Sequence, residues 1–130
     1  MSQKSISILL IGGEYRLQDG LRALVSSLPQ KPSVRIEKCA GDAIAAIVKI
    51  WPQLVIINSD LLDLSSFDFL KEIKSLDKNI PCIILVDTLE DITLAHQAGA
   101  DSAILRGFSS NEFFGVLNKM ISEISNEPAP

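Results

Sequence analysis

Two hydrophobic patterns alternate along the chain. Short unbroken aliphatic runs give way to longer stretches in which apolar residues return every three or four positions. The plainest run is Leu54-Val55-Ile56-Ile57, which stops at Asn58 and turns into the acidic segment Ser59-Asp60-Leu61-Leu62-Asp63. Because no polar residue breaks the run to give it a solvent face, it predicts a strand buried on both sides, in the middle of a parallel sheet. Asn58 then sits at the carboxyl end of a central strand, where open α/β sheets bind ligands and do chemistry.

The other segments fit around that strand. Residues 6–11 form a first apolar strand, with Gly12-Gly13-Glu14 as the turn out of it. Leu17, Leu21, Leu24, Val25 and Leu28 then recur at helical spacing until Pro29 and Pro32 end the helix. Residues 34–39 alternate like a more exposed strand, and Ile44, Ile47 and Val48 mark a second helix ending near Pro52. Ser65 with Asp68 reads as a capped helix start, with Phe67, Leu70 and Ile73 as its buried stripe. Residues 80–86 are a fourth, nearly all-aliphatic strand. Thr88 with Asp91 caps a short fourth helix carrying Leu89, Ile92 and Ala95, which Gly99 closes. Residues 102–105 make a short fifth strand. Ser109-Ser110-Asn111-Glu112 is a capping box before a helix with Phe113, Leu117, Met120, Ile121 and Ile124 on one side. Five strands alternating with five helices predict a parallel sheet covered on both faces.

The chain has 130 residues, enough for one domain with a real core, and a net charge of -4 with Lys and Arg scattered. Neither disorder nor nucleic-acid binding by bulk charge fits that balance. Cys39 and Cys82 are far apart, without the spacing of a zinc site or disulfide frame, and read as buried free thiols. No leader pattern and no membrane-length apolar run appear, so a cytoplasmic location with no membrane contact is expected. We expect a domain over residues 1–124, followed by a linker or tail over 125–130, where Asn126-Glu127-Pro128-Ala129-Pro130 has linker composition.

Four stretches carry a resemblance: residues 8–14, 52–58, 81–86 and 98–106, the last reading Ala98-Gly99-Ala100-Asp101-Ser102-Ala103-Ile104-Leu105-Arg106. In order and spacing they resemble the receiver domain of two-component response regulators, over nearly the whole chain. The resemblance implies a flavodoxin-like (βα)5 doubly wound sheet with strand order 2-1-3-4-5. It also implies an Asp phosphoacceptor ending the third strand and a divalent metal held by that Asp and an acidic pair ending the first. A Thr or Ser ending the fourth strand, a Lys ending the fifth and a switch aromatic just before that Lys complete the family's set.

Here the acceptor position falls on Asn58, the acidic pair on Gly12 and Gly13, the hydroxyl on Val86, the aromatic on Ala103 and the Lys on Arg106. An acyl phosphate needs an ionised carboxylate as nucleophile, which Asn58 lacks. Gly12 and Gly13 bring no carboxylates to Mg²⁺, and Glu14 with Asp60 reads better as solvated turn acids than as a metal site. No cofactor is implied. Val86 cannot give the hydroxyl hydrogen bond, and Arg106 is expected to salt-bridge one of Glu14, Asp60, Asp63 or Asp87, holding the site closed. The degenerate pocket is therefore Gly12, Gly13, Glu14, Asp60, Val86, Asp87 and Arg106 around Asn58.

The resulting expectation is an atypical receiver, not an enzyme, acting without phosphorylation through protein contact. Its partner would be a second copy, a histidine kinase or an attached output domain, with a LuxR-type DNA-binding module as one candidate. This domain itself would not touch nucleic acid. Phe108, Phe113 and Phe114 are interface candidates, with the alternative that all three seal the core. Two further readings are a small-molecule sensor, using a pocket floored by Gly12 and Gly13 with Asn58, Thr88 and Arg106 around it, and a receiver phosphorylated at Asp60 or Asp63. The sole His, His96, has no partner at relay spacing and reads as a surface residue.

Overall fold

The computed structural model describes residues 6–13 and 15–125. Strands β1 (Ser7–Ile11), β2 (Ser33–Glu37), β3 (Leu54–Ile57), β4 (Cys82–Val86) and β5 (Ser102–Leu105) alternate with helices α1 (Tyr15–Ser26), α2 (Ala40–Ile50), α3 (Ser66–Leu76), α4 (Leu89–Gln97) and α5 (Ser110–Ser125). The strands form one parallel sheet in the order β2-β1-β3-β4-β5. This is the flavodoxin-like (βα)5 arrangement expected from the sequence. Glu14 and residues 126–130 lie outside the described residues, so the proposed linker is not placed.

Period-two side-chain alternation divides the sheet's apolar residues between two cores. Ile8, Leu10, Leu54, Ile56, Ile83, Leu85 and Ile104 face α1 and α5, where Leu21, Val25, Leu28, Phe113, Leu117 and Ile121 meet them. Leu9, Ile11, Val55, Ile57, Cys82, Ile84 and Val86 face α2, α3 and α4. β3 and β4 are buried at every position, as unbroken aliphatic runs require.

Three helix stripes depart from their expectation. In α3 the fully buried ring is Phe69, beside Leu70 and Ile73, while Phe67 is half-buried at the helix's exposed start. In α4 Leu89 is 73% exposed, because Thr88 caps the helix immediately before it and leaves it on the first turn above the sheet edge. Val48 is likewise exposed, and Ala43, Ala46 and Ile47 carry the α2 contact instead.

The bottom of the sheet is tied by one cation. Lys74 Nζ donates to the carbonyls of Lys78 (3.2 Å) and Ile80 (2.6 Å) and to Asp101 Oδ2 (2.8 Å). That carboxylate also accepts from the Cys82 backbone N–H (2.8 Å), so α3, β4 and β5 share one polar node. Gly99 makes room for it: its φ is +107°, and a Cβ there would lie 2.9 Å from Lys74 Cγ.

Both cysteines are free. Cys82 is buried as expected, but Cys39 is only half-buried, since it stands just before α2 rather than inside the core. Burial pushes the Cys82 thiol up to about 12 from 9.0, with Lys74 opposing and Asp101 adding to the shift. At mildly alkaline pH a thiol reagent should modify Cys39 and leave Cys82 untouched until the chain unfolds. Because the folded pKa is the higher one, Cys82 ionisation is linked to a stability loss that begins as pH rises past 9.0 and grows towards about 12. A second reactive thiol in the native protein at pH 8 would contradict this burial.

Candidate functional site

The carboxyl edge of the sheet gathers the ends of β1, β3, β4 and β5, and at its centre stands Asn58. It is 2% exposed, and its backbone N–H donates to the Ile11 carbonyl (2.8 Å), continuing the β1–β3 ladder past the strand end. Arg106 begins at the end of β5, anchored by its own N–H on the Val86 carbonyl (2.6 Å), and reaches back across β4. Its Nη1 donates to Asn58 Oδ1 (3.1 Å) and its Nη2 to the Asn58 carbonyl (2.6 Å), while Nε donates to Asp87 Oδ1 (2.8 Å). One planar fork thus joins β3 to the loop after β4, with the three donors carried on three separate nitrogens.

Among the described acids at this edge, Asp87 takes the salt bridge. Asp60 and Asp63 are committed elsewhere. Asp60 Oδ1 accepts from the Ser66 N–H (2.7 Å) at the start of α3, and Asp63 Oδ1 accepts from the Ala40 N–H (2.9 Å) at the start of α2. Thr88 is similarly occupied, its Oγ1 accepting from the Asp91 N–H (3.1 Å).

The guanidinium fixes how the Asn58 amide is turned, because a flipped amide would face donors with donors. That orientation leaves Asn58 Nδ2 buried with no hydrogen-bond partner among the described residues. An unmet buried donor of this kind costs about 1–3 kcal/mol.

The two glycines after β1 do not floor an open pocket. Gly13 N–H donates to the Asp60 carbonyl (3.0 Å), and Leu62 N–H donates to the Lys38 carbonyl (2.9 Å), drawing the β3–α3 loop over the turn. Leu62 Cδ2 would be 3.0 Å from a Cβ at Gly13, so the Leu62 side chain, itself 69% exposed, lies on the glycine. Leu62 therefore covers the Gly13 end of the pocket expected between Gly12, Gly13, Asn58, Thr88 and Arg106.

Two other clefts flank Arg106 instead. A cleft of about 560 Å³ on the α3–α4 side is lined by Ser59, Asp60, Val86, Asp87, Asp91 and Arg106 with Ser65, Ser66, Phe67 and Leu85. A second, of about 300 Å³, opens between α1 and the loop after β5. Nothing in residue order pointed to the second cleft, since α1 and the β5–α5 loop are brought together only by the sheet topology.

Ala103 is half-buried on the α4 side of β5, a small residue with no ring to swing, opposite Ile84 of β4, and Val86 is buried on the same face opposite Leu105. Phe113 is fully buried and cannot anchor a partner. Phe108 stacks on it with centroids 5.0 Å apart, Phe114 tilts against it at 6.3 Å, and both are half-buried against the same core. The arrangement with all three rings closing the core is thus closer to what is found. His96 is exposed, its Nδ1 3.2 Å from the Ala100 carbonyl.

No family model and no curated protein matches this sequence. Solved structures do match. A CheY-like response regulator receiver domain protein from Methanospirillum hungatei has a TM-score of 0.82 at 19% identity, covering 96% of this chain and 100% of that one. A LuxR-family two-component response regulator from Aurantimonas gives 0.82 at 17%, covering 92% and 87%. NtrX from Brucella abortus gives 0.82 at 22%, covering 94% of this chain, which spans 28% of that protein. The chain has the response-regulator receiver fold.

The receiver fold implies a divalent metal at this edge of the sheet, and the donors among the described residues do not suit one. Mg²⁺ requires several oxygen ligands, carboxylates among them. Gly12 and Gly13 have no side-chain oxygen, Asn58 Oδ1 accepts from a cation, and the Asp60 carbonyl accepts from Gly13 N–H. Among the described residues no three His, Cys, Asp or Glu side chains gather as a metal site. Among them, too, no helix is long and apolar enough to cross a membrane.

Proposed function

We propose that this chain is a receiver-type signalling module that works through protein contact without being phosphorylated. The observation that carries the proposal is the Arg106 fork on Asn58: the acceptor position holds a neutral amide whose oxygen is already hydrogen-bonded to a guanidinium. An amide oxygen is a poor nucleophile towards phosphorus, and the cation that would otherwise receive a phosphoryl group is held by Asn58 and Asp87. The site is thus locked in one state by the chain's own side chains.

Output then depends on surface rather than switching. Leu89 and Leu94 on α4 and Leu105 at the end of β5 are exposed, which supports this side of the molecule as the contact face for a second copy, a histidine kinase or an attached output domain. The fold shared with a LuxR-family regulator makes a DNA-binding output domain the first such domain to look for.

Phosphorylation at Asp60 or Asp63 is the weaker reading, because each carboxylate caps a helix start and neither ends a strand. Incubation with acetyl phosphate and Mg²⁺, followed by intact-mass measurement, tests both. We expect no phosphoryl adduct. A stoichiometric adduct would remove the proposal, and its loss in Asp60→Asn or Asp63→Asn would assign the site.

A further inference from the structure

The cleft of about 300 Å³ between α1 and the β5–α5 loop has an unusual lining. Leu21 and Leu24 of α1, Leu85 of β4 and Phe108 form apolar walls, and Gly20 and Gly107 leave its mouth open. Among the described residues of the lining, two side chains are polar: Arg106, which is charged, and Asn58, whose Nδ2 is buried without a partner among them. An apolar cleft with one cation and one unmet donor is complementary to a molecule with one anionic acceptor group and a hydrocarbon body.

We propose that this cleft binds a small apolar monocarboxylate, the carboxylate meeting Arg106 and Asn58 Nδ2 and the hydrocarbon resting on Leu21, Leu24, Leu85 and Phe108. The volume is at the low end for ligand sites, so the body is a single ring or a short branched chain. The opposite cleft does not compete for such an anion, since Asp60, Asp87 and Asp91 there outnumber the one guanidinium.

Because Asn58 is 2% exposed, the acceptor reaches Nδ2 only as the Arg106 fork turns off the amide. The ionic partner left to Arg106 is Asp87, whose side chain is 72% exposed and holds it weakly against a sheltered carboxylate. Ligand entry therefore loosens the tie between β3 and β5. This inference stands on the cleft and the unmet donor and does not depend on the phosphorylation-independent reading, which mass measurement decides separately.

The test uses benzoate, phenylacetate and isovalerate as probes, with benzamide as the neutral control. Binding is followed by NMR through the Asn58 side-chain amide. Saturable shifts with a Kd of about 1 mM or below are expected for at least one acid, as its size allows, with benzamide at least about 10-fold weaker than benzoate. Gly20→Leu fills the mouth of the cleft; a Cβ there meets nothing within 4 Å and leucine improves helix propensity, so the variant should fold. It should weaken binding by about 10-fold or more. Arg106→Met should abolish the preference for the acid over the amide. Absence of a saturable shift with all three acids, or binding unchanged in Gly20→Leu, would overturn the proposal.

Discussion

Replacing Arg106 by Ala is expected to lower unfolding stability by about 2–4 kcal/mol, a large effect for one side chain that is itself partly exposed. The loss is not in the ion pair. Asp87 is mostly in solvent, and such a pair contributes only about 0–1 kcal/mol, so Asp87→Ala should be nearly silent. It comes from Asn58, whose Oδ1 and carbonyl would join Nδ2 as buried polar atoms without partners. Arg106→Lys should fall between, since one ammonium cannot span Asn58 Oδ1, its carbonyl and Asp87 together. Urea unfolding of the three variants separates these cases. An Asp87→Ala loss as large as that of Arg106→Ala would place the stabilisation in the salt bridge instead.

A second large effect concerns chemistry. Asn58→Asp places a carboxylate at the proposed acceptor position, yet it should be phosphorylated only very slowly by acetyl phosphate and Mg²⁺. The new carboxylate would stand against Arg106, and Gly12 and Gly13 would still leave the metal without the acidic pair beside it. Adding Gly12→Asp and Gly13→Asp should raise the rate by about 10²–10³-fold or more over the single variant, in proportion to the charge stabilisation regained. The position-13 side chain has to displace Leu62, a mostly exposed leucine, and ease the Asp60 carbonyl 3.3 Å from its Cβ, and Gly12 has a φ of +158°, so circular dichroism of the triple variant checks its fold first. Rapid phosphorylation of Asn58→Asp alone would mean that the rest of the catalytic machinery is intact.

Much of the scaffold was legible because its signals are local. Four aliphatic residues without a polar break could only be a doubly buried strand, and β3 is one. Hydroxyls three residues before a backbone N–H marked three helix starts, and Ser65, Thr88 and Ser109 each accept that bond, at 3.2, 3.1 and 3.1 Å. Phase was harder. Phe67 and Phe69 are two residues apart, and which one enters the core depends on how the helix settles on the sheet, as does the exposure of Leu89.

The site was legible in composition but not in its contacts. Four acids were candidate partners for Arg106, and the choice depended on two of them, Asp60 and Asp63, being taken by helix N–H groups. The bond from Arg106 to Asn58 joins residues 48 apart, from strands that are not neighbours in the sheet, so no spacing rule announces it. Leu62 lying on Gly13 and the apolar cleft beside α1 are products of packing alone.

A crystal structure determined with Mg²⁺ and beryllofluoride is the most direct measurement of whether this edge of the sheet can hold a phosphoryl group. With Arg106 still forked onto Asn58 and no anion or metal ion at the ends of β1 and β3, the locked site would stand. Beryllofluoride on Asn58, Asp60 or Asp63 beside a bound Mg²⁺ would contradict it.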